Sequence, residues 1–206
     1  WLNDNYSFLK NKSISLQLLN SERDKNFIIS INSTRKYILK ISNSRETIEY
    51  LNLQDYVLSN LNKRPFIKNY IPKKIHSSIK IYSDLNNKDC YVRILSYIHG
   101  QMYANTKYNP LLEKSLGTLI GKLSKELQSL ISPSSIRQFE WDPSNIKWIE
   151  KEIKNFEGRK KEIIQNNLKE HNLFVSKNLN KLRFSLTHGD ANNYNLVVSK
   201  NKVVGI

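Results

Sequence analysis

A chain of 206 residues with 39% apolar side chains and a formal charge of +15 can bury a core, as one large domain or two lobes, and is not globally disordered. No apolar run approaches the roughly 18–20 residues that cross a bilayer, residues 1–5 lack the basic and apolar regions of a secretion signal, and the single Cys90 permits no internal disulfide, so the expected setting is a reducing cytoplasm with no membrane contact. The basic residues are mostly Lys, scattered among abundant Asn and Ile, so the charge reads as solvated surface and the expectation is no nucleic-acid partner.

Residues 3–11 suit a short leading helix. Ile14, Leu16 and Leu18 alternate with polar residues over 13–19, the pattern of a half-buried strand, and 20–26 is a polar turn. Strand runs at 27–31 and 36–41 are joined by Asn32-Ser33-Thr34-Arg35, a hairpin turn. Ser42, Asn43 and Ser44 offer N-cap oxygens to a helix over 45–61, where Ile48, Leu51, Val57, Leu58 and Leu61 recur at mostly helical spacing. Residues 75–82 and 90–97 form a further strand pair across a turn at 84–89. Cys90 starts the second of these runs and reads as a small buried residue, not a reactive thiol.

After Gly100 the chain turns helical. Leu111, Leu112, Leu116, Leu119, Ile120, Leu123, Leu127 and Leu130 form a long amphipathic stripe, ended by Pro133. Further helical regions cover 145–156 and 160–182. Apolar, strand-like runs at 182–186 and 196–199 flank a polar loop. There are no internal repeats and no low-complexity linker. The plan is α+β: a β-rich part over 1–98 that includes a connector, then a helical part over 99–206 that carries the loop.

That loop, residues 188–195, reads His-Gly-Asp-Ala-Asn-Asn-Tyr-Asn. It places the Asp190 carboxylate and the Asn195 carboxamide on one short segment. Phosphoryl transfer from ATP uses such a pair: the acid orients the attacking hydroxyl and accepts its proton, and the amide oxygen helps hold Mg²⁺ on the phosphates. The H-x-D-x-x-x-x-N spacing matches the catalytic loop of the protein-kinase-like fold, with Gly where protein kinases carry Arg. In isolation the segment also reads as an ordinary polar loop.

Lys40 lies in an apolar strand that follows a hairpin and precedes a helix. Alone it reads as an edge guard or a solvated face; with the loop present it reads as the strand lysine that grips α/β phosphates. The Ser21-to-Phe27 turn has no Gly, so it reads either as a charged hairpin turn or as a phosphate cover using backbone N–H groups and the Ser21 hydroxyl. Tyr97 and Ile98, on the connector, are the residues expected against adenine. His188 is expected to hold the loop by hydrogen bonds.

Taken in order, the Ser21-Glu22-Arg23-Asp24-Lys25-Asn26-Phe27 turn, the Lys40 strand, the 92–100 connector and the 187–198 segment resemble the aminoglycoside phosphotransferase and choline kinase family, and within it the hydroxylysine kinase branch. The resemblance spans nearly the whole chain. It implies a two-lobed protein-kinase-like fold, with an antiparallel β-rich N-lobe and a mainly helical, incomplete C-lobe. It implies transfer of the γ-phosphoryl of ATP or GTP, with Mg²⁺, to a hydroxyl of a small amine or amino acid. Asp190 is then catalytic, Asn195 binds metal, and Lys40, Ser21, Gln54, Tyr97 and Ile98 serve the nucleotide.

Gln54 stands where the family's Glu partners the strand lysine; it can accept from Lys40 but carries no charge, and Glu46 and Glu49 are candidate substitutes. Family members continue past Ile206 into a segment whose Asp binds Mg²⁺, so the chain reads as C-terminally truncated, with little turnover by itself. Similar domains occur fused to pyridoxal-phosphate aminotransferases, which makes covalent fusion to further domains an expectation. A non-catalytic nucleotide-binding or regulatory module is the competing reading; the Gly-less turn, Gln54 and the absent metal Asp lean that way.

Overall fold

The computed structural model describes residues 1–130, 142 and 144–206. They fall into two compact units: the described residues up to 130 together with 186–206, and the described residues from 142 to 185.

The first unit is built on a five-stranded antiparallel sheet ordered β1-β2-β3-β5-β4. Its strands are β1 (Ile14–Leu19), β2 (Lys25–Ile31), β3 (Arg35–Ile41), β4 (Lys80–Ser83) and β5 (Asp89–Ser96). The β2–β3 hairpin closes where expected, with Asn32 and Ser33 at φ of 49° and 62°. Left-handed conformations there match the twist of the flanking strands. The turn before β5 is set by Asp84, whose Oδ1 accepts from the Asn86 and Lys88 amides at 2.8 and 2.9 Å. Those bonds hold its carboxyl below the usual carboxylate range. Cys90 is buried, and that burial raises its thiol pKa.

The leading segment is shorter than a full helix: α1 (Leu2–Asn5), then a 3₁₀ turn, Ser7–Leu9. It inserts Tyr6 and Leu9, both with no exposed surface, among Ile29, Tyr37, Leu39, Val92 and Ile94. Burial pushes the Tyr6 phenol up to about 12. Leu9→Ala would leave a cavity beneath the sheet. The expected cost is about 2–5 kcal/mol, read as a lower urea midpoint at unchanged m-value.

Three expectations are corrected. β1 is an edge strand that leaves Leu16 and Leu18 48% and 64% exposed, so its alternation is not half-buried. The cap of α2 (Ile48–Leu61) is Thr47, whose side chain accepts from Tyr50 N, and not Ser42 to Ser44. Ser42 instead extends the sheet by a reciprocal pair with Tyr91, both bonds 2.9 Å, and Asn43 is held by Asp24. Residues 182–186 form no strand; Leu182 and Phe184 are 58% and 85% exposed, and of the run's apolar residues Leu186 alone packs against the core. The partner of β7 (Val197–Ser199) is β6 (Gln101–Met102), from the connector, and β8 (Lys202–Gly205) completes a second sheet ordered β6-β7-β8.

Helix α3 (Pro110–Leu127) starts at Asn109, whose side chain accepts from Leu111 N, with Pro110 in the first turn. Pro carries no N–H where a helix start would leave one unsatisfied. Its buried stripe is Leu112, Leu119, Leu123 and Leu127, while Leu111, expected within it, is 69% exposed. The stripe packs with Leu61, Ile67, Ile71, Leu196, Val198 and Val203 in one core. The expected terminator, Pro133, lies outside the described residues.

The second unit holds α4 (Lys147–Glu152) and α5 (Gly158–Glu170), the latter running into a π turn at His171–Ser176. Ile149, Ile163, Leu168 and Phe174 line a cavity of about 630 Å³ within it.

Candidate active site

The 188–195 loop is held at its C-terminal end. Leu196 follows it with no exposed surface and accepts at its carbonyl from Tyr103 N at 2.9 Å, while Asn193 O accepts from Ala104 N at 3.0 Å. The connector thus pins the loop through β6 and the residues after it. Gly100 permits the close approach: a Cβ there would sit 2.5 Å from Val198 O.

Within the loop, Gly189 has φ of 77° and the Asp190 amide donates to His188 Nδ1 at 3.3 Å. His188 is largely exposed, yet enough protein surrounds its ring to hold the imidazole below the ordinary histidine range, against the opposing pull of Asp190. A neutral ring is what accepting from an amide requires. Asp190 Oδ1 accepts from Asn192 Nδ2 at 2.7 Å. Asn195 Nδ2 donates at 2.8 Å to Asp190 Oδ2 and at 2.8 Å to Asp190 O. The carboxylate is therefore oriented from both oxygens while each keeps lone pairs free, and the Asn195 amide is turned with Oδ1 away from the acid.

A second cluster lies on the five-stranded sheet. Lys40 is directly opposite Asn26 on β2 and Arg93 on β5. Lys40 makes no ion pair among the described residues, so Glu46 and Glu49 do not substitute for a partner. Its ammonium is held below the ordinary lysine range, first by burial, then by the Arg93 charge, with Asp24 acting in the other direction. Asn26 Oδ1 is buried without a hydrogen-bond partner.

Gln54 is not beside Lys40's ammonium as a hydrogen-bond acceptor: its Oε1 accepts from Arg93 Nη2 at 2.7 Å. Arg93, 7% exposed, also bonds Asp55 Oδ1 at 3.2 Å, and Asp55 Oδ2 receives Lys74 Nζ at 2.5 Å. Sequence reasoning missed Arg93 and Asp55. A charged residue inside an otherwise apolar strand run was the available signal for the first; nothing marked the second.

The Ser21 hydroxyl bonds the Asp24 carbonyl within its own turn, and Asp24 Oδ1 accepts from Asn43 N and Nδ2, both at 3.0 Å. The turn is thus tied to the segment after β3. Tyr97 meets His99 edge-on, centroids 5.0 Å apart, with Lys36 Nζ 5.5 Å from its ring centre. Ile98 packs on Gly205, where a Cβ would come within 2.7 Å of Ile98 Cδ1.

A sequence profile described as that of a phosphotransferase enzyme family matches residues 15–206. The chain belongs to the phosphotransferase enzyme family. Among relatives of this family member, hydroxylysine kinase of Bos taurus is 27% identical over 94% of the chain and 57% of its own length. Hydroxylysine kinase of Xenopus laevis is 29% identical over 94% of the chain and 56% of its own length. The chain thus spans a little over half of these phosphotransferases.

Two solved structures are similar in fold. A microcompartment-associated aminopropanol kinase matches with a TM-score of 0.71 at 15% identity, over 94% of this chain and 63% of that one. An amicoumacin kinase in complex with AMP-PNP, Ca²⁺ and its ligand matches with a TM-score of 0.66 at 16% identity, over 91% and 56%. The fold is kinase-like α+β, an antiparallel sheet followed by helices, as the sequence implied.

Proposed function

We propose that the protein transfers the γ-phosphoryl group of a nucleoside triphosphate, ATP or GTP, to a hydroxyl of a small amine or amino acid of the hydroxylysine kind. The observation that carries this reading is the Asp190–Asn195 pair, an oriented carboxylate beside an amide whose oxygen is turned outward. Asp190 orients the acceptor hydroxyl and takes its proton as the oxygen attacks phosphorus. Asn195 Oδ1 is a hard oxygen suited to Mg²⁺, and a bound Mg²⁺ would neutralise charge building on the phosphates. Among the described residues no three His, Cys, Asp or Glu side chains converge on a metal site.

Lys40, an ammonium with no ion pair among the described residues, supplies the cation for the α/β phosphates. Ser21 and Gln54 border that cluster through the turn and α2, and Tyr97 and Ile98 face the base. In this reading residues 1–98 form the nucleotide lobe with its connector, and 99–206 bring the catalytic loop. No described helix is long and apolar enough to cross a membrane. We place the reaction in the cytoplasm, with small-molecule partners, no nucleic-acid or membrane partner, and possible covalent fusion to further domains.

The test is nucleoside diphosphate release by the complete protein with Mg²⁺ and either ATP or GTP, across hydroxylysine and simpler amino alcohols. Acceptor-dependent release is expected; its absence with every acceptor sinks the reading. One observation favours a second reading, a nucleotide-binding regulatory module: among the described residues no carboxylate forms an ion pair with Lys40. Nucleotide binding without transfer would select that one.

A further inference from the structure

We propose that Arg93 is a positioning residue for Lys40: gripping Gln54 and Asp55, it docks helix α2 on the sheet and keeps the Lys40 ammonium free for a ligand phosphate. The inference rests on the reading of Lys40 as the phosphate lysine.

Residues directly opposite in an antiparallel pair project from the same face, so Arg93 and Lys40 share the face that carries α2. The guanidinium reaches Gln54 Oε1 at 2.7 Å and Asp55 Oδ1 at 3.2 Å. Consecutive helix residues do not point the same way, and a planar fork with several donors can bridge both where a single ammonium cannot. Asp55, 6% exposed, spends its other oxygen on Lys74. The helix is therefore tied to β5 and to Lys74, not to the lysine of β3.

The consequence for Lys40 is electrostatic. The α2 carboxylate nearest this network is fully engaged, and Gln54 brings no charge. Among the described residues, the charged groups that act on Lys40 are Arg93 from β5 and Asp24 from the turn before β2, with opposite signs. An ammonium desolvated beside a like charge gains most when an anion arrives. Its positive form is lost at a lower pH than an ordinary lysine's, so anion affinity should fall as pH rises through that lowered value.

The experiment is calorimetric titration of the complete protein with Mg²⁺-ATP and Mg²⁺-GTP from pH 7 to 10.5, for wild type, Arg93→Lys, Arg93→Gln and Lys40→Met. Arg93→Gln removes the like charge, so the alkaline loss of affinity should move to higher pH. Arg93→Lys keeps the charge and should leave that limb in place. It should still weaken binding about tenfold at pH 7, as loss of one charged hydrogen bond implies. A purely structural role would weaken binding without moving the limb.

A limb that stays put in folded Arg93→Gln overturns the proposal. So does unchanged affinity in Arg93→Lys, which retains the charge and keeps the test open should the Gln variant not fold. Loss of binding in Lys40→Met with no effect of either Arg93 variant would leave the phosphate role of Lys40 standing and remove this inference alone. Wild type that binds neither nucleotide overturns both.

Discussion

Asp190→Ala should lower kcat by about 10²–10⁴-fold, the range for removal of a positioned general base, and leave nucleotide affinity within a few-fold. The asymmetry follows from geometry. Asp190 is oriented by two side-chain amides, Asn192 at 2.7 Å and Asn195 at 2.8 Å, and among the described residues neither oxygen is tied to a cation. Its free lone pairs face solvent on an exposed loop, available to an acceptor hydroxyl. An interaction made with the attacking oxygen acts on the transition state more than on nucleotide binding, so kcat should fall while the nucleotide KM holds.

Asp190→Asn preserves shape but not basicity and should fall nearly as far. Single-turnover phosphoryl transfer with the complete protein measures this. Retained turnover in both variants, or loss of nucleotide binding with intact chemistry, would remove Asp190 from the role.

Gly100→Ala is expected to be nearly as damaging without touching any reacting group. The new Cβ would meet Val198 O at 2.5 Å and Val197 Cγ1 at 2.6 Å, and a backbone oxygen cannot swing aside as a flexible side-chain end can. Forcing atoms into a packed contact costs about 1–3 kcal/mol, occasionally more. Relief would come from spreading β6 from β7, the pairing that anchors the loop through Leu196 and Asn193. A displacement of about 1 Å in a catalytic group can cost on the order of 10²-fold in rate.

The variant should therefore lose both thermal stability and kcat. Gly121→Ala is the control: a Cβ there meets nothing within 4 Å, and alanine in α3 should stabilise by about 0.5–1 kcal/mol. Equal behaviour of the two variants would show that the close approach at Gly100 is unimportant.

Much of this was legible in the chain because it is local. The β2–β3 hairpin follows from a short polar turn between two apolar runs. α3 follows from its leucine stripe. The 188–195 loop carries its acid, its amide and its ordering histidine within eight residues, and the bonds among them run between neighbours no more than five positions apart.

Where local signals competed, position in the sheet decided. Ser42 and Asn43 are good capping residues by type, but the sheet and Asp24 claim them, so Thr47 caps α2. Leu182 and Phe184 look like strand residues, but a strand requires a partner edge, and the edge beside β7 went to Gln101 and Met102.

The sequence by itself determined the order of β1 to β5, α2 and α3 and the identity of the loop, because periodicity, turn chemistry and a contiguous motif are properties of neighbouring residues. Only the tertiary structure decided the surroundings of Lys40. The antiparallel register sets Arg93 beside it, and the Arg93 fork takes Gln54 and Asp55, 39 and 38 residues away in the chain. A charge is assigned by the contacts it meets after folding, and no spacing along the chain encodes which of several nearby cations reaches a carboxylate first.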